Sequence, residues 1–237
     1  MAKDVQLPVE ALLLDVDDTL VDTRSAMLVA GREAASAAWP GIDDAAAESV
    51  AKWFRADPGH RFASFEQRLV DYQTMRRARF QDAAQPFGLP VGEAEFSRWE
   101  DSYLKVLIGQ TRLFDDARRL LARATGDNLR LGVLSNATGY LTRQKLVATG
   151  VTEMFSFIGS VDELGVGKPD AQAYLLACSH WGLPPQRVGF CGDDLARDAG
   201  GARDAGLWGV WLDRRGRWDG ADVGVPVIHT LDQLTWR

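Results

Sequence analysis

Cysteine is nearly missing from this chain: Cys178 and Cys191 are the two in 237 residues. They make no CxxC-type ligand spacing, and one pair in so long a chain is no secreted disulfide framework. Buried, reduced thiols are expected at both. Long apolar runs are missing too. Nothing approaches the roughly 18 residues of a membrane span, and the opening MAKDVQLPVE lacks the apolar stretch of a secretory leader. A cytoplasmic protein without a membrane partner is expected. Nor is there a basic excess. With 27 Lys and Arg against 33 Asp and Glu, the formal charge is -6, which disfavours a nucleic-acid binder, whose phosphate contacts need clustered cations. Histidine is scarce as well. His60, His180 and His229 have no GxSxG-type partner, so they read as structural or surface groups, with His60 alone worth testing for substrate contact. No internal repeat or low-complexity tract is present.

What is there is an ordinary soluble composition, 46% hydrophobic, able to bury a core without staples. Short apolar runs at 11–16, 130–136, 154–160, 187–193, 207–212 and 225–230 read as strands. Helical patterns at 113–124, 140–149, 171–181 and 195–205 alternate with them. That alternation predicts an α/β fold, a doubly wound Rossmann-like parallel sheet whose ligands sit beyond the carboxyl ends of the strands. Residues 23–108 have no convincing strand and carry helical patterns over 25–38, 43–55, 65–83 and 93–107. The expected organisation is a core of 1–22 and 109–237 with an inserted all-helical domain, 23–108, placed over the strand ends as a lid.

Polar groups gather at the predicted strand ends. DVDDTL (15–20) sets Asp15 and Asp17 two positions apart, so an extended strand sends both side chains the same way. Two close carboxylates repel unless a cation neutralises them, and an all-oxygen site suits magnesium; an Asp-rich turn is the plainer alternative. GDDLARD (192–198) supplies Asp193, Asp194 and Asp198 after a glycine that lets the backbone turn, and these acids also suit a helix start. LSNA (134–137) offers Ser135 and Asn136, either as caps or as phosphate-binding groups. GVGKPD (165–170) holds Lys168 in a Gly-Pro turn. Asp162 and Pro169 stand where a Walker A loop needs Gly and Ser or Thr, so that nucleotide loop is rejected.

Together and in this order, the four segments resemble the haloacid dehalogenase (HAD) superfamily of phosphohydrolases. The likeness runs from Leu12 to Gly206 and is most specific in GDDLARDAGGARDAG. It implies that Asp15 is a nucleophile forming an aspartyl-phosphate and that Asp17 is the general acid and then the base. It implies that Mg2+ is held by Asp15, the Asp17 carbonyl and Asp193, with Asp194 or Asp198 orienting its waters or the lysine. Ser135, the Asn136 backbone and Lys168 would hold the phosphoryl oxygens. Asp18 stands where many members have Gly. Dehalogenases of the family lack the second acid of the first motif, so Asp17 disfavours that chemistry. Phosphonatases add a cap lysine, for which Lys52 and Lys105 show no activating partner. A non-catalytic binding protein would have lost the nucleophile or the metal acids, and this chain keeps them.

The helical insertion resembles the superfamily's cap, which implies a small-molecule phosphate ester as substrate. Its aromatics include Trp39, Trp53, Phe62 and Trp99. Most are expected to be bundle core, the rest free to stack on a leaving group such as a flavin (flavin mononucleotide) or a nucleotide. Sugar phosphates and phosphoglycolate are the alternatives. Arg76 and Arg77 are expected on a solvated helix face. A monomer or homodimer is expected.

Overall fold

The structure, a computed structural model, describes residues 4–237; residues 1–3, part of the opening stretch read for a leader, lie outside it. A short strand, β1 (Val5–Leu7), precedes β2 (Ala11–Leu14), whose four apolar residues are all buried. Side-chain alternation divides β2 between two faces of the sheet: Leu12 and Leu14 enter one apolar layer, and Ala11 and Leu13 the other. A strand buried on both faces suits the centre of a parallel sheet.

The chain then enters five helices: α1 (Thr23–Ala38), α2 (Asp44–Ala56), α3 (Arg61–Glu66), α4 (Tyr72–Ala84) and α5 (Glu93–Gln110). They form a compact unit of their own, Thr23–Arg112, four residues longer at its end than expected because α5 runs on to Gln110. Its core packs Trp39, Phe54, Phe80, Phe96, Trp99 and Tyr103. Trp39 stacks on Phe80 at 5.3 Å, and Trp99 lies 5.0 Å from Phe54. Gly31 lets α1 approach α2, because a Cβ there would meet Ala51 Cβ at 2.8 Å.

Two sequence expectations are corrected in this unit. The single helix expected over 65–83 is two, because the Asp71 carboxylate accepts the Thr74 N–H at 2.7 Å and starts α4 afresh. The expected solvated arginine face is half wrong. Arg77 pairs with Glu93 at the surface. Arg76 is buried, forked onto Glu100 (2.6 and 3.0 Å) and lying over the Phe54 and Tyr103 rings. Arg79 is also buried and donates to the Phe54 carbonyl at 2.6 Å. Guanidiniums tolerate such sites when their planar forks are paired and stacked.

The remaining elements alternate: α6 (Asp115–Gly126), β3 (Arg130–Ser135), α7 (Gly139–Thr149), β4 (Phe157–Ser160), α8 (Val161–Leu164), α9 (Ala171–Trp181), β5 (Val188–Gly192), a π-helical turn (Leu195–Gly200), α10 (Gly201–Asp204), β6 (Trp208–Leu212), β7 (Val227–Ile228) and β8 (Leu234–Trp236). With the chain up to Asp22, Leu113–Arg237 makes the second compact unit. Its main sheet is fully parallel in the order β4-β3-β2-β5-β6-β7. The expected α/β doubly wound core is therefore present, with every expected strand in it. Two departures stand out. β1 and β8 form a separate parallel pair that three-residue strands gave no periodicity to reveal. The helix expected over 195–205 opens as a π turn. No helix among the described residues is long and apolar enough to cross a membrane. Cys178 and Cys191 are free and buried, as expected, and burial pushes the Cys178 thiol up to about 11.

Candidate active site

Strand order reverses at β2, whose neighbours β3 and β5 lead to opposite halves of the sheet. A doubly wound sheet opens a crevice at such a point, outside the carboxyl ends of its strands. Asp15 follows β2 directly and continues the ladder, its N–H donating to the Cys191 carbonyl at 3.0 Å. Ser135 ends β3, and Asp193 follows β5. The sheet thus brings together groups far apart in sequence.

Lys168 is the centre of the cluster. Its buried ammonium donates to Asp15 Oδ1 at 2.6 Å and to Asp198 Oδ1 at 2.7 Å. Burial alone would weaken the ammonium, but the two carboxylates overcome this and hold it above the usual lysine range. The lysine backbone is held as well. Asn136 accepts the Lys168 N–H through Oδ1 and donates from Nδ2 to the Lys168 carbonyl, both at 2.8 Å. Gly167 makes room for that clamp, since a Cβ there would lie 2.9 Å from Asn136 Oδ1. The Asn136 side chain therefore aims the lysine, a task distinct from the phosphate contact expected of its backbone. Ser135 is buried, and its Oγ accepts the Ala137 N–H at 3.0 Å.

The two acids left open by the sequence are separated by the structure. Asp198 Oδ1 takes Lys168, and its Oδ2 accepts the Asp194 N–H at 2.9 Å. Asp194 caps the π turn through the Ala196 and Arg197 N–H groups and pairs with Arg197. Asp198 thus bonds the lysine ammonium, and Asp194 holds backbone. The π turn matters here because it carries Asp198 back against β5. Gly192 is needed for space rather than for the sharp turn first read into it: a Cβ there would lie 2.2 Å from Asp198 Oδ2.

Oxygens of Asp15, Asp193 and Asp198 lie within 4.8 Å of one another. Burial pushes the Asp15 carboxyl up to about 8, Lys168 pulling against it and the neighbouring acids adding to it. Burial and then Asp198 and Asp18 push Asp193 up to about 7. An all-carboxylate set that resists ionising together fits a hard divalent cation such as Mg2+. Both Asp198 oxygens are already engaged, so Asp15 and Asp193 are the better-suited donors. Arg215 bonds Asp18 at 2.7 Å and stands 3.9 Å from Asp193. Asp18 has φ 60, a left-handed position where glycine is easiest and Asp is among the side chains that tolerate it. That accounts for Asp in a place where Gly is common.

Asp17 is partly exposed, and its Oδ1 accepts from the ammonium of Lys145 on α7. Sequence reading missed Lys145. The signal was available: buried positions Leu141, Thr142, Lys145 and Leu146 form the inward stripe of α7, and a lysine in an inward stripe calls for a buried anion. Arg214 was also missed. It forks onto Asp116 (2.7 and 2.9 Å) and donates to the Thr19 carbonyl at 2.7 Å, bracing the loop that carries Asp17. His180 lies against Phe157, and His229 Nδ1 is 2.9 Å from the Asp213 carbonyl, structural places as expected. Lys52 forms a surface pair with Glu48.

The family model for haloacid dehalogenase-like hydrolases matches residues 9–206. A phosphoserine phosphatase of Thermus thermophilus is 30% identical over 86% of this chain and 88% of its own length. An (S)-2-haloacid dehalogenase of Pseudomonas putida is 28% identical over 96% and 95%. Among solved structures, the HAD-hydrolase YfnB of Bacillus subtilis, bound to magnesium, has a TM-score of 0.77 at 20% identity, covering 95% of this chain and 96% of that one.

Proposed function

Because the chain belongs to the haloacid dehalogenase-like hydrolases, we propose that it is a Mg2+-dependent phosphatase of small-molecule phosphate monoesters, working through an aspartyl-phosphate on Asp15. The observation that carries this reading is the juxtaposition of Asp15, held by Lys168 among Asp193 and Asp198, with a second first-motif acid, Asp17. The relatives include both phosphatases and dehalogenases, so the choice between them rests on these residues. Cleaving a carbon–halogen bond needs no proton on the leaving group, whereas an alkoxide leaving phosphorus does, and Asp17 is the group to supply it.

In this reading Asp15 and Asp193, with the Asp17 carbonyl, hold Mg2+, which neutralises phosphoryl and carboxylate charge when bound. Lys168 holds a phosphoryl oxygen and pulls Asp15 toward the ionised form needed for attack, against the burial that favours its protonation. Ser135 and the Asn136 N–H bind the remaining oxygens, and Asp198 and the Asn136 side chain keep Lys168 aimed. Asp17 protonates the departing alcohol and then takes a proton from the water that hydrolyses the acyl phosphate. The helical unit sets substrate choice, because the core groups read only the phosphoryl group shared by all substrates. Most of its aromatics are packed into its own core, which leaves Trp53, exposed at the surface, and Phe62 for contact with an aromatic leaving group such as a flavin or nucleotide. Small phosphates such as phosphoserine or phosphoglycolate need no such contact.

The test is phosphate release from a panel of monoesters, including phosphoserine, phosphoglycolate, a nucleotide and FMN, with (S)-2-chloropropionate beside them. Turnover of at least one monoester should require Mg2+ and disappear in Asp15→Asn. Halide release without phosphatase activity would overturn the proposal.

A further inference from the structure

We propose that Arg215 is a fixed counter-cation of the acidic centre, whose charge holds down the affinity of that centre for Mg2+. This rests on the reading above in which Asp15 and Asp193 hold the metal.

The turn after β6, DRRGRW (213–218), carries Arg214, Arg215 and Arg217 close together. Two of them brace the fold. Arg214 forks onto Asp116, and Arg217 donates to the Asp193 carbonyl at 2.9 Å. Arg215 stands between them on a firm base. Asp213 is fully buried, its Oδ2 accepts the Trp218 N–H at 2.8 Å, and Gly216 closes the turn at φ 62. From there the Arg215 guanidinium reaches the acidic loops. It donates to Asp18 Oδ2 at 2.7 Å, with Asp193 Oδ2 3.9 Å away.

Those two distances mean different things. At 2.7 Å the Asp18 contact is a charge-assisted hydrogen bond that fixes a long side chain in one place. At 3.9 Å the Asp193 contact is too long for a hydrogen bond and acts through charge. Asp193 does not depend on Arg215 for its position. Its carbonyl already accepts from Trp211 Nε1 at 3.1 Å and from Arg217, and it directly follows the buried strand β5. Nor does the backbone ask for a carboxylate at Asp18, whose φ of 60 suits glycine best. Holding Arg215 against Asp193 is a reason for an acid there. A guanidinium so placed offsets part of the repulsion among Asp15, Asp193 and Asp198 in metal-free protein. The same charge opposes a dication approaching those carboxylates. The Arg215 and Asp193 side chains are 33% and 24% exposed, so solvent screens the interaction and its effect is modest.

The test measures Mg2+ binding by isothermal titration calorimetry on chelator-stripped protein, at one pH and without substrate. Arg215→Gln should bind Mg2+ about three- to tenfold more tightly than wild type. Arg215→Lys, which keeps the charge, should stay within about twofold of wild type. The gain in Arg215→Gln should shrink in about 0.5 M KCl, because salt screens a charge effect. Arg130→Gln removes an equal charge at the opposite end of the sheet, where β3 begins, and should change the affinity less than about twofold. Unchanged or weaker binding in Arg215→Gln overturns the inference, since a residue that merely anchors the Asp18 loop would give that result. A gain shared by Arg215→Lys or Arg130→Gln, or one indifferent to salt, overturns it too. If Arg215→Gln fails to fold by circular dichroism, Arg215→Met carries the same comparison. A wild-type chain that binds no Mg2+ fells the metal reading itself and is thereby told apart from a fault in Arg215 alone.

Discussion

Lys168 has two carboxylate partners and a backbone clamp, so its position depends on Asp15, Asp198 and Asn136 at once. Removing the charge of Asp198 leaves the lysine one anion short in a buried place. Asp198→Asn is expected to lower kcat by about 10- to 100-fold, the usual cost of losing a group that orients a site residue. Asp194→Ala should behave differently. It removes the cap of the π turn, costing about 1 kcal/mol of stability while kcat changes by much less than in Asp198→Asn. Steady-state kinetics beside thermal melts separates the two, and equal kcat losses would refute this division of labour. At this scale the acids, Ser135 and Asn136 stood out as candidates in the sequence because they follow predicted strands, and Lys168 because it stands in a Gly-Pro turn ahead of a helix. Lys145 and the side-chain clamp of Asn136 did not. Each is a pairing between segments distant in the chain, and such pairings leave no local spacing to read.

Elements carried the next level of information unevenly. β2, β3, β5 and β6 are short apolar runs bounded by turn residues, and their reading from sequence came within two residues of the structure. The π turn escaped because LARDAG reads as plain helix; its Asp198 side chain lies against Gly192, a contact visible only in three dimensions. The helical unit misled in another way. Arg76 in an amphipathic helix looks like solvated charge yet is buried on Glu100, whereas the aromatics are mostly core as expected, with Trp99 wholly buried against Phe54, Phe80 and Tyr103. Trp99→Ala should therefore cost about 3–5 kcal/mol by chemical denaturation. Trp53→Ala, at an exposed position, should stay within about 0.5 kcal/mol. If Trp53 touches an aromatic leaving group, its Ala variant should lose kcat/KM for FMN while a small phosphate is spared. Equal changes for both substrates would remove Trp53 from substrate contact.

Over the whole molecule, the acidic centre ties stability to pH and metal. Asp15 and Asp193 have carboxyls raised to about 8 and about 7, above the ordinary carboxylate value near 4. A raised carboxyl favours the fold while protonated, so that contribution is full below about pH 4 and is progressively lost until pH has climbed through 7 and 8. In chelator, the melting temperature should fall over that window. Magnesium, competing with the protons, should restore it, so the shift on adding Mg2+ should be larger at pH 8.5 than at pH 5.5. A magnesium shift that is the same at both pH values, or that survives Asp193→Ala unchanged, would count against Asp15 and Asp193 as its ligands.

The placement of β2 between β3 and β5 also sets an order of events during synthesis. The helical unit is a compact unit made of one continuous stretch, Thr23–Arg112. Ala11, by contrast, must wait for Arg130 on one side and Val188 on the other. The strand that delivers the nucleophile is thus made early but flanked on both sides only once β5 exists, and it is wholly apolar. Pairings so distant close slowly, and an unpaired apolar strand invites the wrong neighbour meanwhile. Refolding should accordingly proceed in two phases, a fast one reported by Trp99 in the helical unit and a slower one that restores catalysis.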